Sequence, residues 1–217
     1  AHRVEYVPAL YPQMTLNDIT TAIAPHGLLI MGHSANRVLI GTNRDWWDHF
    51  SQTPEYNDSQ HDPVDRWSKR ILNDLAERAG ARVYFPSDGP PYAPFIAWAK
   101  ETARFWQSPT GMLIHDTAGL MISIRGALEF SHPVGDIACT INPCEGCSDR
   151  PCIAACPVGA LSGTQPYDVP ACKAFLDTEN GQACMSGGCL VRQACPVSQA
   201  FGRPSAQSEF HMKAFRR

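Results

Sequence analysis

Of the nine cysteines in this 217-residue chain, eight fall between Cys144 and Cys195. The first four run Cys144, two residues, Cys147, four residues, Cys152, three residues, Cys156, and Pro157 follows directly. That is close to the iron–sulfur run C-x2-C-x2-C-x3-C-P, with two extra residues before the third cysteine. The other four, Cys172, Cys184, Cys189 and Cys195, have wider gaps but end the same way, with Pro196. Each set supplies the four thiolates that a [4Fe–4S] cube takes, one per iron. In two-cluster ferredoxins the cysteine before the proline ligates the other cluster. Applied here, that rule gives Cys144, Cys147, Cys152 and Cys195 to one cube and Cys156, Cys172, Cys184 and Cys189 to the second.

Two other uses of cysteine compete with this one. Zinc favours paired short CxxC knuckles or mixed Cys/His sets, and the chain has one CxxC. A disulfide framework belongs to small secreted chains, whereas here the cysteines crowd into the last third. Cys139 stands outside both sets, and its expected role is that of a small buried hydrophobe.

The cysteine segment divides the chain into 1–138, long enough for a core of its own, and 139–217, the cluster module with a basic, exposed tail HMKAFRR. A hydrophobic content of 44 % and a charged content of 18 % are ordinary for a globular protein. The net charge of −3 gives nucleic acid no electrostatic footing. No run of about 20 apolar residues is present, so no membrane span is expected. The opening residues AHRVEYVPAL lack the basic-then-apolar layout of a secretory signal. With thiolates to be kept reduced, the expected compartment is the cytoplasm.

Along the chain, residues 1–13 read as an extended arm. Thr15 caps a helix through Ile23 that Pro25 and Gly27 end. GLLIMGH (27–33) and VLIGT (38–42) read as strands joined by a turn. RDWWDHF begins a short helix, and 52–61 is a loop. Asp62 then caps a helix carrying Val64, Trp67, Ile71, Leu72 and Leu75 on one stripe, closed by Gly80. ARVYF is a third strand, SDGPPYAP a loop, PFIAWAKETARFW (94–106) a helix, MLIH a strand, and AGLMISIRGALEF (118–130) one or two strands. The sum is an α+β or layered α/β domain, a mixed sheet of four or five strands with helices.

No nucleotide-binding glycine fingerprint, P-loop or nucleophile elbow occurs. The eight histidines form no metal-type pair. Trp46 and Trp47 are expected in the core, and Tyr92 closes a proline-rich loop. No general acid or base stands out.

TGMLIHDTAGLMISIRGAL followed by the cysteine segment resembles the epoxyqueuosine reductases and reductive dehalogenases. Those proteins join a nitroreductase-like, cobalamin-binding domain to a bacterial ferredoxin-like module with two [4Fe–4S] clusters. The same stretch is similar to part of the cobalamin-processing proteins. The resemblance implies single-electron transfer from the clusters to a corrinoid lying near Gly111, Met112, Leu113 and His115. It also implies a redox partner protein, a donor such as a flavodoxin or a ferredoxin reductase. The chain would be a short form without the tRNA-binding region, and its second cysteine set is more widely spaced than the family's C-x2-C-x3-C-P.

Three readings follow: a cobalamin-dependent iron–sulfur reductase, a ferredoxin-type carrier with no catalytic site, and a cobalamin-processing reductase. A corrin-sized pocket beside residues 109–115 separates the first and third from the carrier. A layer filled by Trp46, Trp47 and Trp98 favours the carrier.

Overall fold

The computed structural model describes residues 14–217; the expected arm at 1–13 lies outside them. The chain starts with helix α1 (Leu16–Ile23), capped as its sequence demands. The Asp18 amide donates to Thr15 Oγ1 and the Thr15 amide donates back to Asp18 Oδ2, at 3.2 and 2.9 Å. After a single 3-10 turn, Gly27 takes a left-handed φ of 68°. A side chain there would meet the Trp46 Cα at 2.4 Å, so only glycine lets the next elements close on each other.

Strands β1 (Leu28–His33) and β2 (Arg37–Thr42) form a hairpin. Two short helices, α2 (Trp46–Phe50) and α3 (Pro54–Asn57), lead to the long helix α4 (Pro63–Ala79). Strand β3 (Arg82–Tyr84), helix α5 (Phe95–Glu101), strands β4 (Phe105–Gln107) and β5 (Leu113–His115), and strand β6 (Ile124–Glu129) complete the N-terminal part. Among the described residues the six strands form a four-stranded sheet, ordered β1-β2-β6-β3, and a separate β4-β5 ribbon. Every pairing is antiparallel, so the class is α+β and the expected mixed sheet is corrected.

The main sheet is buried on both faces, which explains why Val38, Leu39 and Ile40 are apolar in succession. Val38, Ile40 and Leu128 face α1, α2 and α4, where Ile19, Ile23, Trp46, Phe50, Trp67 and Leu72 complete the larger core. Leu39 and Ala127 point the other way, onto Ala99, Phe105 and Ala118. Each fully buried Leu, Ile or Phe contributes roughly 1.5–3 kcal/mol. Helix α4 comes close because β6 presents Gly126 to it; a Cβ there would sit 2.6 Å from Leu72 Cδ1.

After the sheet, the chain from 130 to 168 is a succession of turns. Helices α6 (Val169–Leu176), α7 (Gln182–Gly187), α8 (Leu190–Ala194), α9 (Pro196–Phe201) and α10 (Ser205–Arg216) follow. No helix of the described residues is long and apolar enough to cross a membrane.

The two parts share their packing. One core combines Ile114 and Leu120 with Cys152, Leu161, Val191 and Cys195. The Leu120 amide donates to Ser198 Oγ at 2.8 Å, and Gly119, at φ 58°, lets the backbone of Ser198 approach. The Arg192 and Arg203 guanidiniums donate to the carbonyls of Leu120 and Met121.

Several elements depart from the sequence reading. The helix expected over 94–106 stops at Glu101: the Thr102 hydroxyl turns back to the Ala99 carbonyl, Ala103 goes left-handed, and Phe105 enters β4. Asp62 is left-handed and makes no side-chain cap. The loop at 52–61 contains α3, and 118–123 precedes β6 rather than forming a strand. Cys139 is exposed, not buried. The tail HMKAFRR is helical and anchored at its start: in α10 Phe210 packs against Trp47, Phe50 and Tyr56, and His211 stacks on Trp46 at 6.0 Å. Lys213, Ala214, Arg216 and Arg217 are exposed, as expected.

The joint makes a prediction. Gly119 and Gly111 both have positive φ, but a Cβ at Gly119 would lie 2.4 Å from the Ser198 amide nitrogen while one at Gly111 meets nothing within 4 Å. Both Gly→Ala variants should lower the thermal midpoint through backbone strain of about 1–2 kcal/mol, and Gly119→Ala should lower it further. Equal losses would show that the joint yields without cost.

Candidate metal centres

Prolines 143, 151 and 157 prevent a helix from forming through the first cysteine set, so its cysteines sit on consecutive turns. The Cys144 amide donates to Asn142 Oδ1 at 3.0 Å, and further turns link the Cys147 amide to the Cys144 carbonyl and the Gly159 amide to the Cys156 carbonyl. In the second set, Cys172 rides on α6, whose N-terminus Asp168 caps by accepting from the Ala171 amide at 2.9 Å. Cys184 rides on α7. Gly188 ends that helix at φ 94°, and Cys189 then precedes α8. Pro196 excludes the helical conformation for the residue before it. Cys195 is accordingly extended, at φ −70° and ψ 122°, and separates α8 from α9.

These elements bring the eight cysteines together in two sets of four. Cys144, Cys147, Cys152 and Cys195 line a cavity of about 180 Å³. Cys156, Cys172, Cys184 and Cys189 line one of about 350 Å³. The cysteine that precedes each proline therefore stands with the set at the other end of the segment. The thiols influence one another within the same sets. Burial, followed by Cys152, Cys195 and Cys147, pushes the Cys144 thiol up. Burial, followed by Cys189, Cys172 and Cys156, does the same to Cys184. Burial also raises Cys172, partly offset by the Tyr167 hydroxyl beside it. Among the described residues no three His, Cys, Asp or Glu side chains form a group that could hold a single metal ion.

Residues 108–125 form a wall common to both sites. Ser108, Pro109, Ile114 and Leu120 line the smaller cavity, and Met112, Met121 to Arg125 the larger. The charged surroundings differ. The smaller cavity has Arg150, while the larger has Arg125, Arg192, Arg203 and His211. Burial, with Arg192 and Arg125 adding to it, pushes Arg203 down to about 9. Burial and the three arginines take His211 down to about 3, so its ring is neutral.

The four residues implied for a corrinoid do not form one site. Gly111 is at an exposed turn, Leu113 pairs with Gln107 in the ribbon, and Met112 edges the larger cavity. His115 is wholly buried and committed at both nitrogens. Its Nδ1 accepts from the Ala118 amide at 3.1 Å, which makes Nε2 the donor to the Met31 carbonyl at 2.6 Å. The larger cavity is at the low end of small-molecule sites, and four cysteines already border it. These residues do not fit a macrocycle of corrin size.

Sequence reasoning missed Arg125, Arg192, Arg203, His211 and Tyr167. A lone arginine inside the apolar run ISIRGAL was the one available signal.

Compared with protein-family models, with curated proteins and with solved structures, the chain matches none.

His115 supplies a pH prediction. Burial holds its folded pKa below the ordinary 6.5, so below that pH the unfolded chain binds the extra proton. Stability should be fully present above 6.5 and should fall as the pH drops through the folded value. Denaturant midpoints followed from neutral pH downward should show this slope, and His115→Gln should reduce it. An unchanged slope would remove His115 from the account.

Proposed function

We propose that this chain is an iron–sulfur electron carrier. One [4Fe–4S] cube would be held by Cys144, Cys147, Cys152 and Cys195, the other by Cys156, Cys172, Cys184 and Cys189. The observation that carries this reading is the sorting of eight cysteines into two fours around two cavities with a shared wall. Bound there, the clusters supply one-electron transfer at potentials set by their surroundings. The chain's own part is to hold and to shield. Burial and like neighbours keep several of the thiols protonated in metal-free protein, so loading releases protons and is favoured by higher pH. Ile114, Leu120, Leu161 and Val191 screen the sites from water.

Each set of four cysteines lines a cavity. That suits a cube, which takes one thiolate per iron, better than zinc, which draws four sulfurs to one centre at about 2.3 Å. We read 139–217 as a ferredoxin-like module and the N-terminal layer as its cover. Trp46 is fully buried on Phe50 and Trp67, Trp47 packs on Phe210, and Trp98 lies under the Arg37 guanidinium at 4.0 Å. An N-terminal layer filled in this way favours the carrier over a corrinoid enzyme. Its partners would be redox proteins, the donor being of the flavodoxin or ferredoxin-reductase kind.

Anaerobic dithionite titration of reconstituted protein, followed by EPR, tests the reading: it should take up about two electrons per chain, one per cube. Single Cys→Ala variants test the grouping. Cys195→Ala should alter the same EPR signal as Cys147→Ala, and Cys156→Ala the same signal as Cys184→Ala. If Cys195→Ala instead behaved like Cys184→Ala, the crossing would be wrong.

A further inference from the structure

The larger cavity has about twice the volume of the smaller, although each is bordered by four cysteines. The extra lining holds three arginines and a neutral histidine. Arg125 comes from β6, Arg192 from α8, Arg203 from the turn before α10 and His211 from α10 itself. Arg125 is placed by a break in the sheet register. Ile40 pairs with Gly126 and Gly41 with Ile124, so Arg125 is the extra residue of a β-bulge. Bulges re-aim side chains and cluster beside functional sites.

Arg192 and Arg203 each give one N–H to a backbone carbonyl, but other polar atoms of this lining lack partners. Arg125 Nε, Arg203 Nε and His211 Nε2 are cut off from solvent and have no hydrogen-bond partner among the described residues. None of Arg125, Arg192 and Arg203 makes an ion pair with a described carboxylate. Buried charge without a counter-charge is costly and is retained where a ligand supplies one. The second cysteine set does not by itself account for three arginines. The first set has the same number of thiols and only Arg150 beside it.

We infer that Arg125, Arg203 and His211, with Arg192 behind them, bind a small oxyanion, a carboxylate or a phosphate, beside the second cysteine set. Guanidinium groups fit both ligands as planar, bidentate donors. The unpartnered Nε atoms are the donors such an anion would use. The site does not depend on the metal, although its occupant would lie next to one cluster and its negative charge would lower that cluster's potential.

The test is a calorimetric titration of the full chain, both cluster-loaded and metal-free, with inorganic phosphate and with malonate at constant ionic strength. Saturable binding of about one anion per chain is expected for at least one probe, and the probe that binds identifies the head group. Arg125→Met should weaken it at least about tenfold, the loss of one charged hydrogen bond, and Arg44→Met, at the exposed surface, should leave it unchanged. Because Arg125→Met could unfold the chain, the wild-type thermal midpoint is measured too; the binding probe should raise it where equal ionic strength of sodium chloride does not. No saturable binding by either probe, or equal weakening by Arg44→Met, overturns the site. Iron and sulfide analysis of the same samples keeps this result separate from the cluster reading.

Discussion

The cysteine segment depends on a wall it does not itself supply. Between residues 130 and 168 the chain has turns but no helix or strand, and its prolines keep it so. What gives these turns a fixed shape is residues 108–125, which border both cavities. The wall is fastened from the far side by the Ser198 hydroxyl under the Leu120 amide and by the two guanidiniums on the Leu120 and Met121 carbonyls. Gly163 contributes from the loop side: a Cβ there would sit 1.7 Å from the Pro109 carbonyl oxygen. The N-terminal sheet, filled on both faces, holds the wall in turn. Thiol placement is thus coupled to a core formed largely before residue 130.

The same dependence shows how much could be read from the sequence. Local signals carried well. Thr15 with Asp18, the α4 stripe closed by Gly80, and the two apolar strands each encode their own structure. The cysteine sets were legible because cysteine spacing and the following proline act locally, Pro196 forcing Cys195 out of the helix. Features decided by distant contacts were not legible. Helix α5 stops early where Ala103 turns left-handed and Phe105 enters the ribbon opposite His115. The basic tail is held down by an aromatic cluster assembled from residues 46 to 67. Cys139 is exposed because it lies in the turns that follow the sheet, outside the cores. The bulge that aims Arg125 depends on the pairing of β6 with β2, which no local pattern announces.

Charge distribution separates the two sites. Both are thiol-lined and largely apolar, yet the larger has three buried guanidiniums and the smaller a single arginine. Positive charge stabilises the more negative, reduced form of a neighbouring centre. Electrons entering at the smaller site would therefore settle at the larger as long as no bound anion balances its arginines. This asymmetry, and a tryptophan-filled N-terminal layer, are what the proposed carrier function rests on beyond the cysteines.

The central claim is that the two rings of thiols each hold a [4Fe–4S] cube. Chemical analysis of iron and acid-labile sulfide on anaerobically reconstituted protein, with Mössbauer spectroscopy of the same sample, tests it most directly. The account predicts about eight irons and eight sulfides per chain, with all the iron in sulfur-ligated, delocalised cubes. Protein that instead carries zinc without labile sulfide, or that refuses iron because its cysteines are joined as disulfides, would contradict it.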